Sequence, residues 1–322
     1  MAHFSNILSP KQECFITLYP NSKKPVERDW PNRGQTFQEA HVQDHNIGLL
    51  LGKPSELLDV DLDCEASVTL AKAILPKPHA RFGRGAKHSE HYLYRCSNSG
   101  PRKAFTAIRA HTMMVELRGD GTQTMVPPSI HPDGEPVSWI DSNEEATEVT
   151  YDELLKAVAL LAAASELMQY WNEGQRHSLA LGFAGISHKL GVAPNVIMQV
   201  IHKICEATAD LEVQDRLNAV RTTIARPASQ SSGFQSLQET LGDAVAKNIA
   251  SHLAIAVGDD KLLQPFTELQ QVSNVIELGQ FADRANVTEA KMGWAFSQWL
   301  RSKALYIVET KQWMIWNDRY WE

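Results

Sequence analysis

The sequence predicts an α+β unit, then an all-helical part, then a small terminal unit. Three observations lead there. Over residues 1–142, short apolar runs alternate with Gly, Pro, Asn and Asp clusters, the pattern of short strands joined by turns. After an acidic, polar stretch, DSNEEATEV, residues 150–256 carry apolar residues at helical spacing. From residue 268, two helical stretches lead into a pair of strand-like runs rich in Trp.

In chain order, CFITLYP reads as a strand, NSKKPVERDWPNRG as a polar surface loop and TFQEAHVQ as a short helix. NIGLLLGKPSELLDVDLD holds two apolar runs split by Gly-Lys-Pro-Ser, which predicts paired strands. CEASVTLAKAIL puts Ala66, Leu70, Ala73 and Ile74 on one helical face, and PKPH stops it. ARFGRGAKHSEHYLYRC reads as strand, Gly-rich turn, strand. MMVELRGDGTQTMVPPSIHPDGEPVSWI reads as strand, turn, strand, proline-rich loop, strand. A hairpin-rich unit with mixed or antiparallel sheets is expected. DELLKAVALLAAASELMQYW, RHSLALGFAGISHKLG and NVIMQVIHKICEATAD are helical in pattern, punctuated by Gly191 and Pro194. In the last unit, KMGWAFSQWLRSK suits the recognition helix of a winged helix and YIVETKQWMIW its wing.

The 322 residues, 43% of them hydrophobic, are enough for two or three domains with ordinary cores. A net charge of −7 argues against a protein coated for non-specific nucleic-acid binding. It does not exclude a nucleic-acid enzyme with its basic residues gathered in one groove. No apolar run is long enough to span a bilayer, so no membrane partner is expected. The start, MAHFSNILSP, lacks the basic and apolar regions of a signal peptide. Cys14, Cys64, Cys96 and Cys205 are scattered without a CxxC pair, which predicts neither structural zinc nor a disulfide framework. A cytoplasmic location follows.

The chemistry centres on LLDVDLD. On a strand, Asp59, Asp61 and Asp63 share one side while Leu58, Val60 and Leu62 face a core. Asp is a poor strand former, and like charges stacked on one face repel. Hard divalent cations, Mg²⁺ or Mn²⁺, relieve this. Ser89 and His91 alternate with Tyr92 and Tyr94 in SEHYLY, so the two pairs face opposite ways. Glu116 follows an apolar strand in MVELRGDG, where Gly119 and Gly121 permit a tight turn. PPSIHPDG is a rigid loop carrying Ser129 and His131. A nucleotide-polymerising site needs carboxylates from separate strands around two metals about 3.5–4 Å apart. Asp59, Asp61 and Glu116 supply them; Arg84, His91, Arg118 and His131 can hold a triphosphate, with Ser89 and Ser129 donating to phosphate oxygens.

The ordered set LLDVDLD, SEHYLY, VELRGDG, PPSIHPDG resembles the prim-pol branch of the archaeo-eukaryotic primase superfamily, over roughly residues 12–140. The resemblance implies an RRM-like catalytic domain. It implies Asp59, Asp61 and Glu116 as metal ligands and Ser89 and His91 as the nucleotide-binding SxH pair. Asp63 offers an overlapping DxD; Asp59 and Asp61 are favoured because Asp63 lies nearest the helix and can cap it. Glu116 stands where Asp is more usual. WNEGQRHSLALGFAGISHKLG and DLEVQDRLNAVRTTIARPASQSSGFQSLQETLG are similar to the helical-bundle domain that follows the catalytic domain in plasmid and phage prim-pols. That similarity implies contacts to template and primer through Arg176, His177, Arg216, Arg221 and Thr222, with Trp171 nearby. The last unit resembles the segment before a superfamily 3 helicase, which implies a longer replication protein or a helicase acting in trans. The implied activity is DNA-dependent primer synthesis and extension from dNTPs or NTPs on single-stranded DNA, in a phage, prophage or plasmid setting in bacteria.

Other readings compete. A metal-dependent nickase or nuclease would need a paired-His HxH motif, which the sequence lacks. A non-catalytic origin-binding or single-strand-binding module would rest on the helical and winged parts alone. Asp120 is expected as a turn residue, Cys64 as core, and Arg118 either as a phosphate ligand or as a carboxylate's partner.

Overall fold

The computed structural model describes residues 8–257 except 10, 86–88, 109–110, 143–146 and 231–232, together with two C-terminal strands. Two sheets form in the N-terminal part. The smaller holds β1 (Phe15–Leu18), β2 (Asn46–Leu50) and β8 (Gln123–Val126), with β2 central. The larger holds β3 (Leu57–Leu62), β4 (Ala80–Arg84), β5 (Glu90–Arg95), β6 (Lys103–Thr106), β7 (Met113–Arg118) and β9 (Val137–Ser142). Its strand order is β6-β7-β3-β5-β4-β9, and every pairing in both sheets is antiparallel. The α+β expectation holds for this unit.

Two expected hairpins are not hairpins. β2 and β3 lie in different sheets, and so do β7 and β8. Both β2 and β3 are buried along their whole length, so each needs a neighbour on either side. The turns between them carry the chain from sheet to sheet instead of folding it back. Gly52, at φ +78°, makes the first turn, and Gly121, at φ +73°, the second.

Alternation along β3 then fixes the layers. Leu58, Val60 and Leu62 point to one core with Tyr92 and Tyr94, as the pattern predicts. Leu57 points the other way, into a second core with Phe82, Leu93, Phe15, Leu49 and Val126 between the sheets. The first core is closed by α2 (Glu65–Ile74) and α3 (Tyr151–Met168). Cys64, not Asp63, caps α2, in a reciprocal pair with Ser67. Thr150 and Glu153 form the equivalent box at the start of α3.

The short α1 (Phe37–Ala40) lies against β1. The helical part continues as α4 (Arg176–Leu190), α5 (Pro194–Ala207), α6 (Val213–Ile224), α7 (Gly233–Leu241) and α8 (Asp243–Ala256). Gly191, at φ +92°, ends α4, and Pro194 opens α5. Composition changes near residue 142, but the apolar core does not break there: one cluster runs from Leu58 through Leu160 to Ala256. Glu166 of α3 fastens it, accepting the Ile108 N–H at 3.1 Å and a bond from Asn248 of α8 at 2.6 Å.

Met1–Phe266 is one compact unit and Thr267–Glu322 another. In the second, β10 (Ala304–Ile307) and β11 (Gln312–Ile315) pair antiparallel, the hairpin expected there. The helices expected for a winged helix fall outside the described residues. Among the described residues no helix is long and apolar enough to cross a membrane, and all four cysteines are free.

Candidate active site

The site is built on the face of the larger sheet that looks toward the smaller one. β3 lies between β5 and β7. Its register sets Asp61 opposite both His91 and Glu116, and Asp59 opposite Arg118. Directly opposed residues on one face are in side-chain reach. Five polar side chains therefore converge where only apolar ones would normally be buried. Asp59, Asp61 and Glu116 are 0%, 2% and 3% exposed.

Arg118 ties the carboxylates together. Its guanidinium pairs with Asp61 and with Glu116, and lies 3.8 Å from Asp59 Oδ2. Arg102, from the loop before β6, takes the other oxygen of Glu116. His91 closes the far side. Its Nδ1 lies 3.0 Å from Asp59 Oδ2 and its Nε2 3.5 Å from Asp61 Oδ1. A carboxylate can only accept, so the imidazole donates to Asp59. Phe82 of β4 stacks flat on the ring, with centroids 4.5 Å apart and planes within 2°.

The electrostatics follow from burial and charge. Burial works to raise Asp59, but His91 and Arg118 outweigh it, and its carboxyl sits below the usual value. Burial likewise opposes a charged His91, yet Asp61 and Asp59 hold it above its ordinary value. Asp63, at the mouth, behaves oppositely: desolvation and the neighbouring Asp61 push it up to about 6. Its side chain meets solvent.

Over this cluster opens a small cleft between the sheets, about 50 Å³ in volume. Asp61, Asp63, Ser89, His91 and Arg118 line it from the sequence-predicted set, with Arg84 and His131 at its rim. Arg84 Nη1 lies 3.1 Å from His131 Nδ1 and 3.0 Å from Asp133. Lys23, Gln123 and Thr124 complete the lining from the smaller sheet and its loop. These three, with Arg102 and Phe82, were not singled out by sequence reasoning. Lys23 sits in a stretch that reads as plain surface loop. Phe82 was detectable by alternation with Ala80, and Arg102 only once Ala104 is known to pair with Glu116.

Ser129 does not reach the cleft. It is 1% exposed, and its hydroxyl accepts from the Ile47 N–H at 2.9 Å and donates to the Ile47 carbonyl at 3.3 Å. It braces the proline-rich loop against β2. Asp120 does what a turn residue should, accepting from Lys53 N–H at 3.1 Å and from the Ser99 hydroxyl at 2.7 Å.

The helical positions divide. Arg216 is 7% exposed and bound to Asp210, Glu212 and Asp215, so it has no free face for a phosphate. Arg176 also reaches Asp210, at 3.5 Å, and Trp171 donates to the same carboxylate at 3.1 Å. This knot is internal scaffolding. His177 and Arg221 remain on the surface, His177 beside Asp215 and Arg221 bonded to Asn218. Thr222 turns its hydroxyl back to the Ala219 carbonyl.

Residues 13–151 match the Prim-Pol family model, the N-terminal domain of bifunctional DNA primase/polymerases. The matched segment spans both sheets and every residue of the carboxylate cluster. The match suggests the DNA primase/polymerase class, a nucleotidyltransferase activity. No curated protein matches the chain.

Proteins of this family generally use divalent metals, and the donor chemistry here fits one. The three carboxylates are hard oxygen donors, and Asp61 Oδ1 is buried without a hydrogen-bond partner. Among the described residues no three such side chains are already gathered about one point. Arg118 takes up the space between them.

Proposed function

We propose that this chain is a DNA-dependent primase-polymerase, which starts primers de novo on single-stranded DNA and extends them from nucleoside triphosphates. One observation carries the reading: three buried carboxylates and His91 on one sheet face, of which Asp61 and His91 reach a cleft also lined by Lys23, Arg84 and His131.

Asp59, Asp61 and Glu116 would hold Mg²⁺ or Mn²⁺, with Asp63 as the outer carboxylate. Bound cations would supply neutralisation of the triphosphate and a more acidic primer 3′-hydroxyl. The chain's own groups do the positioning. Lys23, Arg84 and Arg118 present positive charge to phosphate oxygens, and Ser89 offers a hydroxyl donor. His91, locked between Asp59 and the Phe82 ring, holds a donor at a fixed place in the wall. The two sheets keep bulk water from the inner carboxylates, which strengthens each of these contacts.

The helical part, on this reading, is the helical-bundle module that holds template and primer, with Arg221 and His177 on its exposed surface. A superfamily 3 helicase, in the same protein or in trans, and a plasmid or phage setting in the bacterial cytoplasm complete it.

The test is incorporation of labelled dNTPs and NTPs on unprimed single-stranded DNA with Mg²⁺ or Mn²⁺. Asp61→Asn and Glu116→Gln are expected to lose incorporation by about 100-fold or more while remaining folded. Full activity in both variants would remove the assignment of this cluster.

A further inference from the structure

The cluster holds its own counter-charge without any metal. Asp59, Asp61 and Glu116 bring three carboxylates into a buried face. Arg118 and Arg102 set two guanidinium groups against them, and the His91 ring lies 3.0 Å from Asp59 Oδ2. Arg118 is the central member, since it alone touches all three carboxylates. Its side chain is 18% exposed, and it lines the cleft wall. An arginine fork in that position satisfies carboxylate oxygens that would otherwise be buried unpaired. Asp61 Oδ1 is buried without a hydrogen bond and faces His91 Nε2 at 3.5 Å. The arrangement satisfies the acids incompletely and fills the place where their oxygens converge.

We propose that Arg118 is a resident counter-cation, occupying the carboxylate cluster of the metal-free protein and leaving it when a divalent cation enters. The inference rests on the two-carboxylate-strand metal reading above and adds a regulation to it. A divalent cation and a guanidinium compete for the same oxygens, and both cannot be held at once by this set. Metal binding is therefore weakened by the work of displacing Arg118. The displaced side chain stays in the cleft wall, where nucleotide phosphates would receive it. Metal and nucleotide are coupled through one residue: each relieves a cost that the other creates. Metal alone binds weakly, and metal with triphosphate binds well.

The experiment uses the full chain, stripped with chelator, and Mn²⁺ alone without nucleotide. Isothermal titration and the Mn²⁺-induced shift in melting temperature are compared for wild type, Arg118→Gln and Arg118→Lys. Arg118→Gln is expected to melt lower than wild type in chelator, because three acids lose their shared partner. It is expected to bind Mn²⁺ about tenfold tighter or more and to gain a larger melting shift from it. Arg118→Lys keeps the charge but not the fork, and is expected to fall between the two. It also serves if Arg118→Gln does not fold. Mn²⁺ affinity equal to or weaker than wild type in the folded variants overturns the counter-cation role while leaving the metal site standing. No Mn²⁺ binding by any of the three, wild type included, overturns both.

Discussion

His252 offers a direct measure of how firmly the helical layer is joined to the sheet. It lies on α8, 6% exposed, with its ring edge-on to Phe105 of β6 at 5.2 Å and 77°. Its Nδ1 is buried without a hydrogen bond. Burial, and then the charge of Lys103, lower its pKa from 6.5 to about 4. The folded protein thus keeps His252 neutral at pH values where the unfolded chain protonates it. The stabilisation is complete above pH 6.5 and is lost as pH falls through 4. That interval corresponds to about 3 kcal/mol in total, and about 2 kcal/mol is lost between pH 7 and pH 5. Urea unfolding at those two pH values, for wild type and His252→Phe, isolates the effect, because the other titrating groups are common to both. Wild type is expected to lose about 2 kcal/mol more than the variant. Equal losses would mean that His252 is not held neutral by the fold, and that β6 and α8 are not packed as tightly as described.

Three further outcomes are expected. Gly119→Ala should destabilise by about 1–3 kcal/mol in thermal unfolding, because a Cβ there overlaps the Gly100 carbonyl oxygen and must move backbone. Lys23→Ala should raise the KM for the nucleoside triphosphate by about tenfold with an unchanged melting temperature, since the residue is exposed and lines the cleft. Arg216→Ala should cost about 1–2 kcal/mol of stability by removing the buried pair with Asp210, which keeps Trp171 and Arg176, whereas Arg221→Ala should leave stability unchanged and weaken single-stranded DNA binding, with a smaller salt dependence.

The site was legible because it depends on a period of two. Once LLDVDLD and SEHYLY are strands, alternation alone puts Asp59, Asp61 and His91 on one side and Tyr92 and Tyr94 on the other. What alternation cannot supply is the neighbour of each strand. GKPS and RGDG are competent hairpin turns, and nothing local to them says that β2 and β8 leave for a second sheet. That decision comes from burial of both faces, a property of the assembled layers. Arg118 shows the same limit. Its position two residues after Glu116 fixes its face, but its partners depend on β7 lying beside β3 and not beside β8. Ser129 and Arg216 were misplaced for a related reason: a hydroxyl or guanidinium in a motif looks available until the backbone or acid that occupies it is known.

The two crossovers that the sequence hid are also what make the cleft. The turn out of β2 and the turn out of β7 meet, Asp120 of the second accepting the Lys53 N–H of the first and the Ser99 hydroxyl. The strand bearing Asp59 and Asp61 and the strand bearing Glu116 and Arg118 thus part from the smaller sheet at a common point. Beyond it they pair with each other, and the smaller sheet is left facing their polar residues. A simple pair of hairpins would have kept β2 and β8 in the same sheet as the acid-bearing strands, with no opposite wall. Crossing twice gives the carboxylates a roof, and the roof supplies Lys23, Gln123 and Thr124. Burial under that roof is what makes three close acids costly, and so what requires Arg118, Arg102 and His91 beside them. The fold's topology and the site's charge balance are one constraint seen at two scales.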